Sequence, residues 1–260
     1  MPLTPGSFCW FELGTTDADG AKAFYGPLFG WSPVDIPMGH DAGAYTIFKL
    51  DGGDTGAAYP LTKEQRSMGV PPNWLAYVAV TNVEEMVKRA RTLGATILQD
   101  ALEVPGQGRL AVLQDPTGAV LALWQASGHT GVGVSDVPGT ACWVELSSPD
   151  QEQAAQFYAQ LFGWGIDTGK STNPDASGDY LHIQHDGKFV GGIVPASARD
   201  ANTPPHWLIY FKVADCAAAT TQALGLGAQA YVQNMSIGKD GVISVLADPQ
   251  GAVFALHQAN

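Results

Sequence analysis

The sequence predicts an α+β protein built from two tandem copies of one domain, and three observations carry this expectation. The first is a repeated stretch: Gly6–Trp31 (GSFCWFELGTTDADGAKAFYGPLFGW) and Gly139–Trp164 (GTACWVELSSPDQEQAAQFYAQLFGW) match at 13 of 26 positions without gaps. The offset of 133 residues recurs between Pro71-Pro72-Asn73-Trp74 and Pro204-Pro205-His206-Trp207, and between Asp115-Pro116-Thr117-Gly118 and Asp248-Pro249-Gln250-Gly251. A period this long is a whole domain written twice, not a solenoid unit. The second observation is that short apolar strands alternate with single amphipathic helices inside each copy. The third is length: 260 residues suit two ordinary domains, each with enough chain to bury its own core. The expected boundaries are residues 1–126, a Gly- and Ser-rich linker at 127–138 (SGHTGVGVSDVP), and residues 139–260.

In chain order, Phe8 to Leu13 is short, apolar and aromatic, and reads as a strand. Asp17 is placed to cap a helix on which Ala21, Phe24, Tyr25 and Leu28 recur at helical spacing, and Gly30 can end it. Tyr45 to Leu50 is a strand, Asp51-Gly52 a tight hairpin turn, and a further strand runs to about Tyr59. A second β-α-β-β-β module follows. It has a strand at Trp74 to Val80 and a helix marked by Val83, Met86, Val87, Ala90 and Leu93 before Gly94. Strands then fall near Ile97, at Arg109 to Gln114 and at Ala119 to Gln125, the last two joined by the Asp-Pro-Thr-Gly turn. The repeat implies four such modules in all.

Composition bounds the partners. A hydrophobic fraction of 45% with zero mean hydropathy describes a globular chain. The formal net charge of −12 argues against a nucleic-acid partner, since a phosphate backbone needs a basic surface. No run of about 18 apolar residues predicts a membrane span, and MPLTPGSFCW lacks the pattern of a signal peptide. Cys9, Cys142 and Cys216 form no CxxC, and the expectation is buried free thiols in a reducing, cytoplasmic setting.

The pattern W-x-E-L…D…FY…LFGW, followed by DPxGAVxxLxQ, resembles the vicinal oxygen chelate superfamily, which includes glyoxalase I, bleomycin-resistance proteins and extradiol dioxygenases. The resemblance covers both copies. It implies glyoxalase-like domains in which paired βαβββ modules curl mixed sheets around a cavity, and an intramolecular pseudo-dimer of the two domains that can itself form a homodimer. Chelating members carry a His or Gln on the first strand, seven residues before the helix-capping Asp, and a Glu on the last strand after D-P-x-G. Here those positions hold Trp10 and Trp143, then Ala122 and Ala255. The other two ligand positions fall at Trp74 or Leu75 with Trp207 or Leu208, and among Gly56-Ala57-Ala58 with Gly191-Gly192-Ile193. None offers a metal donor, so no metal site and no cofactor are expected.

Strand alternation puts Trp10 with Glu12, and Trp143 with Glu145, on one face. Each Glu reads either as a ligand-binding or acid–base carboxylate, or as a structural group bonded to backbone N–H or to the inter-domain contact. Tyr77 and Tyr210 match across the repeat and are either ligand-binding phenols or core residues. Two exchanges mark the second copy: Trp124 becomes His257, and Asn73 becomes His206. The leading expectation is therefore a metal-free binder of an aromatic or amphipathic small molecule, using Trp10, Glu12, Tyr77, Trp124, Trp143 and His206. The alternative is a lyase, isomerase or hydroxylase-like enzyme using Glu145, Tyr210 and His257 for acid–base chemistry, with or without a divalent metal (Zn, Ni, Fe or Mn). A purely structural role is the third.

Overall fold

The computed structural model describes residues 3–39, 43–167 and 180–260. The first repeat runs β1 (Phe8–Thr15), α1 (Ala18–Phe29), β2 (Ser32–Pro37), β3 (Ala44–Leu50), β4 (Gly53–Pro60), α2 (Lys63–Ser67), β5 (Asn73–Ala79), α3 (Val83–Thr92), β6 (Thr96–Val104), β7 (Gly108–Gln114) and β8 (Val120–Ala126). The second runs β9 (Ala141–Ser147), α4 (Gln151–Phe162), β10 (Gly165–Asp167), β11 (Leu181–His185), β12 (Lys188–Ile193), β13 (His206–Lys212), α5 (Cys216–Gly225), β14 (Gln229–Ser236), β15 (Val242–Ala247) and β16 (Val253–Gln258). Short 3-10 turns at Ala196–Ala198 and Gly238–Asp240 complete the second repeat. Each repeat supplies one eight-stranded mixed sheet, ordered β2-β3-β4-β1-β5-β8-β7-β6 and β10-β11-β12-β9-β13-β16-β15-β14. Among the described residues, no helix is long and apolar enough to cross a membrane.

Local chemistry accounts for the boundaries. Asp17 accepts from Gly20 N–H at 2.9 Å and Asp150 from Gln153 N–H at 2.9 Å, so each repeated Asp starts its helix. Gly30 and Gly163 end the same helices at φ 72° and 73°, where only glycine escapes a Cβ penalty. The hairpin turn Asp51-Gly52 has positive φ at both residues, as a two-residue turn of that twist requires. β2 carries no burial signal: all six residues are exposed, and it is an edge strand, where Pro33 and Pro37 cost the sheet little.

By contacts, the described residues form two compact units, and each draws on both repeats. One comprises Met1–Trp10, Ala76–Gly131 and Trp143–Leu208; the other comprises Phe11–Leu75, Val132–Cys142 and Ile209–Asn260. The repeated motifs hold each unit together. In the first, the Tyr158 hydroxyl donates to Asp115 Oδ2 at 2.8 Å and accepts from Trp207 Nε1 at 3.0 Å. In the second, Tyr25 donates to Asp248 Oδ2 at 2.9 Å and accepts from Trp74 Nε1 at 3.0 Å. Each Asp thus belongs to the D-P-x-G turn of one repeat and each Tyr to the FY pair of the other. Burial pushes both phenols well above their usual range, so they stay protonated donors. Trp164 donates to Gly6 O at 2.7 Å and Trp31 to Gly139 O at 2.8 Å, which closes the same joints.

The stretch at 127–138 makes specific contacts. The N–H groups of Ser127, Gly128 and His129 all donate to Gln107 O, and Gly133 N–H donates to Asp54 O. Its His129 ring lies edge-on to Trp10 at 4.4 Å, and its carbonyl accepts from Trp124 Nε1 at 3.0 Å.

Candidate functional site

Parallel pairing of β12 with β9 sets Gly192 beside Glu145, and antiparallel pairing of β11 with β12 sets His182 beside Gly192. Glu145 and His182 therefore share a sheet face with Trp143, two residues from Glu145. Gly192 has no side chain, and Tyr180 fills the vacated space: a Cβ there would lie 2.1 Å from its hydroxyl oxygen. The Tyr180 hydroxyl donates to Glu145 Oε2 at 2.9 Å and accepts from Trp143 Nε1 at 3.0 Å. Burial, with the Glu145 charge adding, holds this phenol well above its usual range, so it remains the donor. Trp143 and Tyr180 also pack around His182, at ring separations of 6.3 and 5.0 Å.

Glu145 lines a pocket of about 200 Å³ together with Ser147, Val194, Ala198, Arg199, Asp200, Thr203, His206 and Leu208. Two predicted residues, Glu145 and His206, thus meet in one site. His206 Nδ1 lies 2.9 Å from the Pro204 carbonyl, so Nδ1 carries the proton and Nε2 is the acceptor in the neutral ring. Burial, with Arg199 adding, holds His206 below the usual imidazole range. Arg199, at the end of the 3-10 turn, donates through Nη2 to the Thr203 carbonyl.

The first repeat fills the matching place. Glu12 pairs with Ala57 and Gly14 with Tyr59 along β1 and β4. A Cβ on Gly14, the counterpart of Ser147, would lie 2.9 Å from Leu61 Cδ2 and 3.1 Å from the Tyr59 hydroxyl. At the position of Tyr59 the second repeat has Val194, smaller by a phenol ring. Gln65, on α2, donates to Tyr59 at 3.2 Å and holds it there. Burial, with the Glu12 charge adding, raises the Tyr59 phenol. Glu12 itself accepts from Tyr45 at 2.7 Å. Each repeated Glu thus accepts from a phenol of its own repeat. Tyr45 and Tyr180 were missed as site residues, although they match across the repeat at the local offset of 135 that also relates Ile47 to His182.

The remaining candidates are not among the residues that line that pocket. Trp10 and Trp124 are buried against His129 as described. Tyr77 and Tyr210, both buried, pair with Ala122 and Ala255. His257 lies on β16 in the unit that also holds Tyr210, with Nε2 donating to Asp240 O at 2.8 Å and Nδ1 3.8 Å from Cys142 Sγ. Burial pushes the Cys142 and Cys9 thiols up to about 12, which leaves them protonated. Ellman's reagent should accordingly find no fast thiol in the native protein and all three after denaturation; a stoichiometric native thiol within seconds would contradict this.

A glyoxalase-like domain model matches residues 143–257, and a model of the Glyoxalase/Bleomycin resistance protein/Dioxygenase superfamily matches residues 7–123. CFP32 of Mycobacterium tuberculosis, provisionally named a glyoxylase, is 33% identical over 247 residues, covering 95% of this chain and 92% of its own length. The chain belongs to the glyoxalase/bleomycin resistance protein/dioxygenase superfamily. Another relative, the anthracycline biosynthesis protein DauV of Streptomyces sp. strain C5, is 33% identical over 270 residues, covering 98% of this chain and 94% of DauV. In fold, the chain is similar to the Mn(II)-bound glyoxalase of Novosphingobium aromaticivorans, with a TM-score of 0.67 at 14% identity over 98% of this chain and 83% of that one. It is also similar to the 2,3-dioxygenase LapB of Pseudomonas sp. KL28, with a TM-score of 0.65 at 14% identity over 99% and 93%.

The register settles the third ligand position. Trp74 and Trp207 turn to the core tyrosines, so Leu75 and Leu208 take the face that Tyr77 shares with Ala122 and Tyr210 with Ala255. In the second repeat the four positions are thus an indole, a Leu, an Ala methyl and a glycine overlaid by a phenol. That set does not fit a divalent cation, which needs several N, O or S donors. Among the described residues, no group of three or more His, Cys, Asp or Glu is placed to hold one.

Proposed function

We propose that the protein binds a compact aromatic or amphipathic small molecule in the pocket of its second repeat, one per chain, without a family-type metal centre. The observation that carries this is a concave site in which Glu145 and His206 converge while the superfamily's ligand positions lack donors. Its volume lies below the roughly 300 Å³ at which drug-sized pockets begin, so the ligand is small. The names of relatives lend support: one set is named for anthracycline biosynthesis and another as a provisional glyoxylase. Three free thiols suit a reducing, cytoplasmic setting.

The test is calorimetric titration with a metabolite panel, on protein stripped with chelator and prepared without immobilised metal. A single site per chain, lost in Leu208→Trp, is the expected result. Binding that returns only with a stoichiometric transition metal would refute the reading. A second reading, proton transfer, is favoured by a neutral His206 ring that lines the same pocket as Glu145. The acid–base set expected from the sequence is Glu145, Tyr210 and His257. Under this second reading, turnover falls as pH drops through the lowered His206 value, and His206→Gln removes that limb of the profile while His257→Gln leaves it.

A further inference from the structure

We infer that the pocket takes an organic carboxylate, with its anion on Arg199 and a hydrogen-bond donor at its far end directed to Glu145. This rests on the ligand-binding reading above and names its ligand class. Arg199 is half-buried in the pocket wall, and no ion pair includes it among the described residues. Among the described residues its one hydrogen-bond partner is the Thr203 carbonyl, and its Nε is enclosed without any. A guanidinium with an unmatched Nε and one carbonyl partner is poorly satisfied by the protein alone. The adjacent Asp200 does not serve. Its Oδ1 accepts from Asn202 N–H at 3.0 Å, and its Oδ2 lies 3.4 Å from the Thr203 hydroxyl, so this carboxylate folds its own loop. Elsewhere Arg91 meets Asp100, and Arg109 meets Glu84 and Glu103. A planar guanidinium held by one carbonyl still presents donors that match a carboxylate.

The opposite wall has the reverse character. Glu145 takes the Tyr180 proton donor on Oε2 and makes a further contact within the protein, and a carboxylate with about four lone-pair sites keeps room for a ligand donor. Val194, Ala198 and Leu208 supply an apolar flank. A short, flat acid with a hydroxyl at the far end satisfies all three features, and a dianion does not, because Glu145 repels it.

Isothermal titration with 4-hydroxybenzoate, its neutral isostere 4-hydroxybenzamide, and inorganic phosphate tests this on the full chain, with Arg199→Gln and Leu208→Trp as variants. The acid should bind at least tenfold more tightly than the amide. Arg199→Gln should weaken the acid tenfold or more and leave the amide unchanged, and Leu208→Trp should abolish both. If the amide equals the acid and Arg199→Gln alters neither, the carboxylate assignment is wrong while the binding site stands. Phosphate displacing the acid at equal concentration overturns the assignment in favour of a phosphate anion. Silence from both organic probes at millimolar concentration overturns the assignment and the site together.

Discussion

Tyr158→Phe is expected to lower the unfolding free energy by about 3 kcal/mol, the cost of leaving two buried polar groups unmatched. The hydroxyl has negligible exposure and joins Asp115 Oδ2 to Trp207 Nε1. Its loss strands an acceptor and a donor in a place water does not reach, and the ring stays, so no cavity term contributes. Asp115 is already committed: its Oδ1 accepts from Thr117 N–H at 2.7 Å, Gly118 N–H at 2.8 Å and Ala119 N–H at 3.1 Å. It cannot turn away to find another partner without opening the D-P-T-G turn. Tyr25→Phe should behave alike through Asp248 and Trp74. Tyr231→Phe is the control, because that ring is 58% exposed and should change stability by less than about 0.5 kcal/mol. Urea denaturation followed by tryptophan emission reads all three, and a Tyr158→Phe midpoint matching the control would remove the network from the account.

This network also explains what the repeat in the sequence means. The FY pair, the PPxW tryptophan and the D-P-x-G aspartate recur because each belongs to a buried joint, and each joint draws its Tyr and Asp from different copies. Capping aspartates, ending glycines and the hairpin turn were legible because each is a short-range device with one residue type that fits it. Edge strand β2 was not, since six exposed residues leave no period to read. Helix α2 carried a readable signal in Thr62 and Gln65, a reciprocal cap. The pocket was half legible. Glu145 stood out beside an indole on an apolar strand, and His206 as an exchange between copies. Arg199 and Thr203 lie in a loop without motif or period, and only the folded chain shows that no carboxylate among the described residues pairs with Arg199. At the local offset of 135 the sequence carries one further signal, because Tyr59 against Val194 is the exchange that separates a filled place from an open one.

Gly131→Ala and Gly128→Ala should each cost about 3 kcal/mol, from overpacking against main chain and, at Gly131, from backbone strain as well. A spacer of Gly and Ser would tolerate both changes, so these variants separate a flexible connection from a packed one. Gly131 sits at φ 81°, and a Cβ there would lie 2.3 Å from the Cys9 carbonyl oxygen. Gly128 has ordinary φ, but its Cβ would lie 2.0 Å from the Gly106 carbonyl oxygen. Both obstacles are main chain, so relief requires the segment to lift. Lifting would break the three N–H bonds to Gln107 O and withdraw His129 from the Trp10 face. Gly225→Ala is the matched control at the end of α5, where a Cβ meets nothing within 4 Å. It should be neutral or slightly stabilising, since alanine restricts the unfolded chain. The variants also test whether the first repeat is closed by its own residues. With His129 displaced, Trp10 should become quenchable by acrylamide in Gly131→Ala, while the affinity of the second-repeat pocket stays unchanged. Equal stability of both variants and the control would mean that the segment from Ser127 to Pro138 is a tether after all.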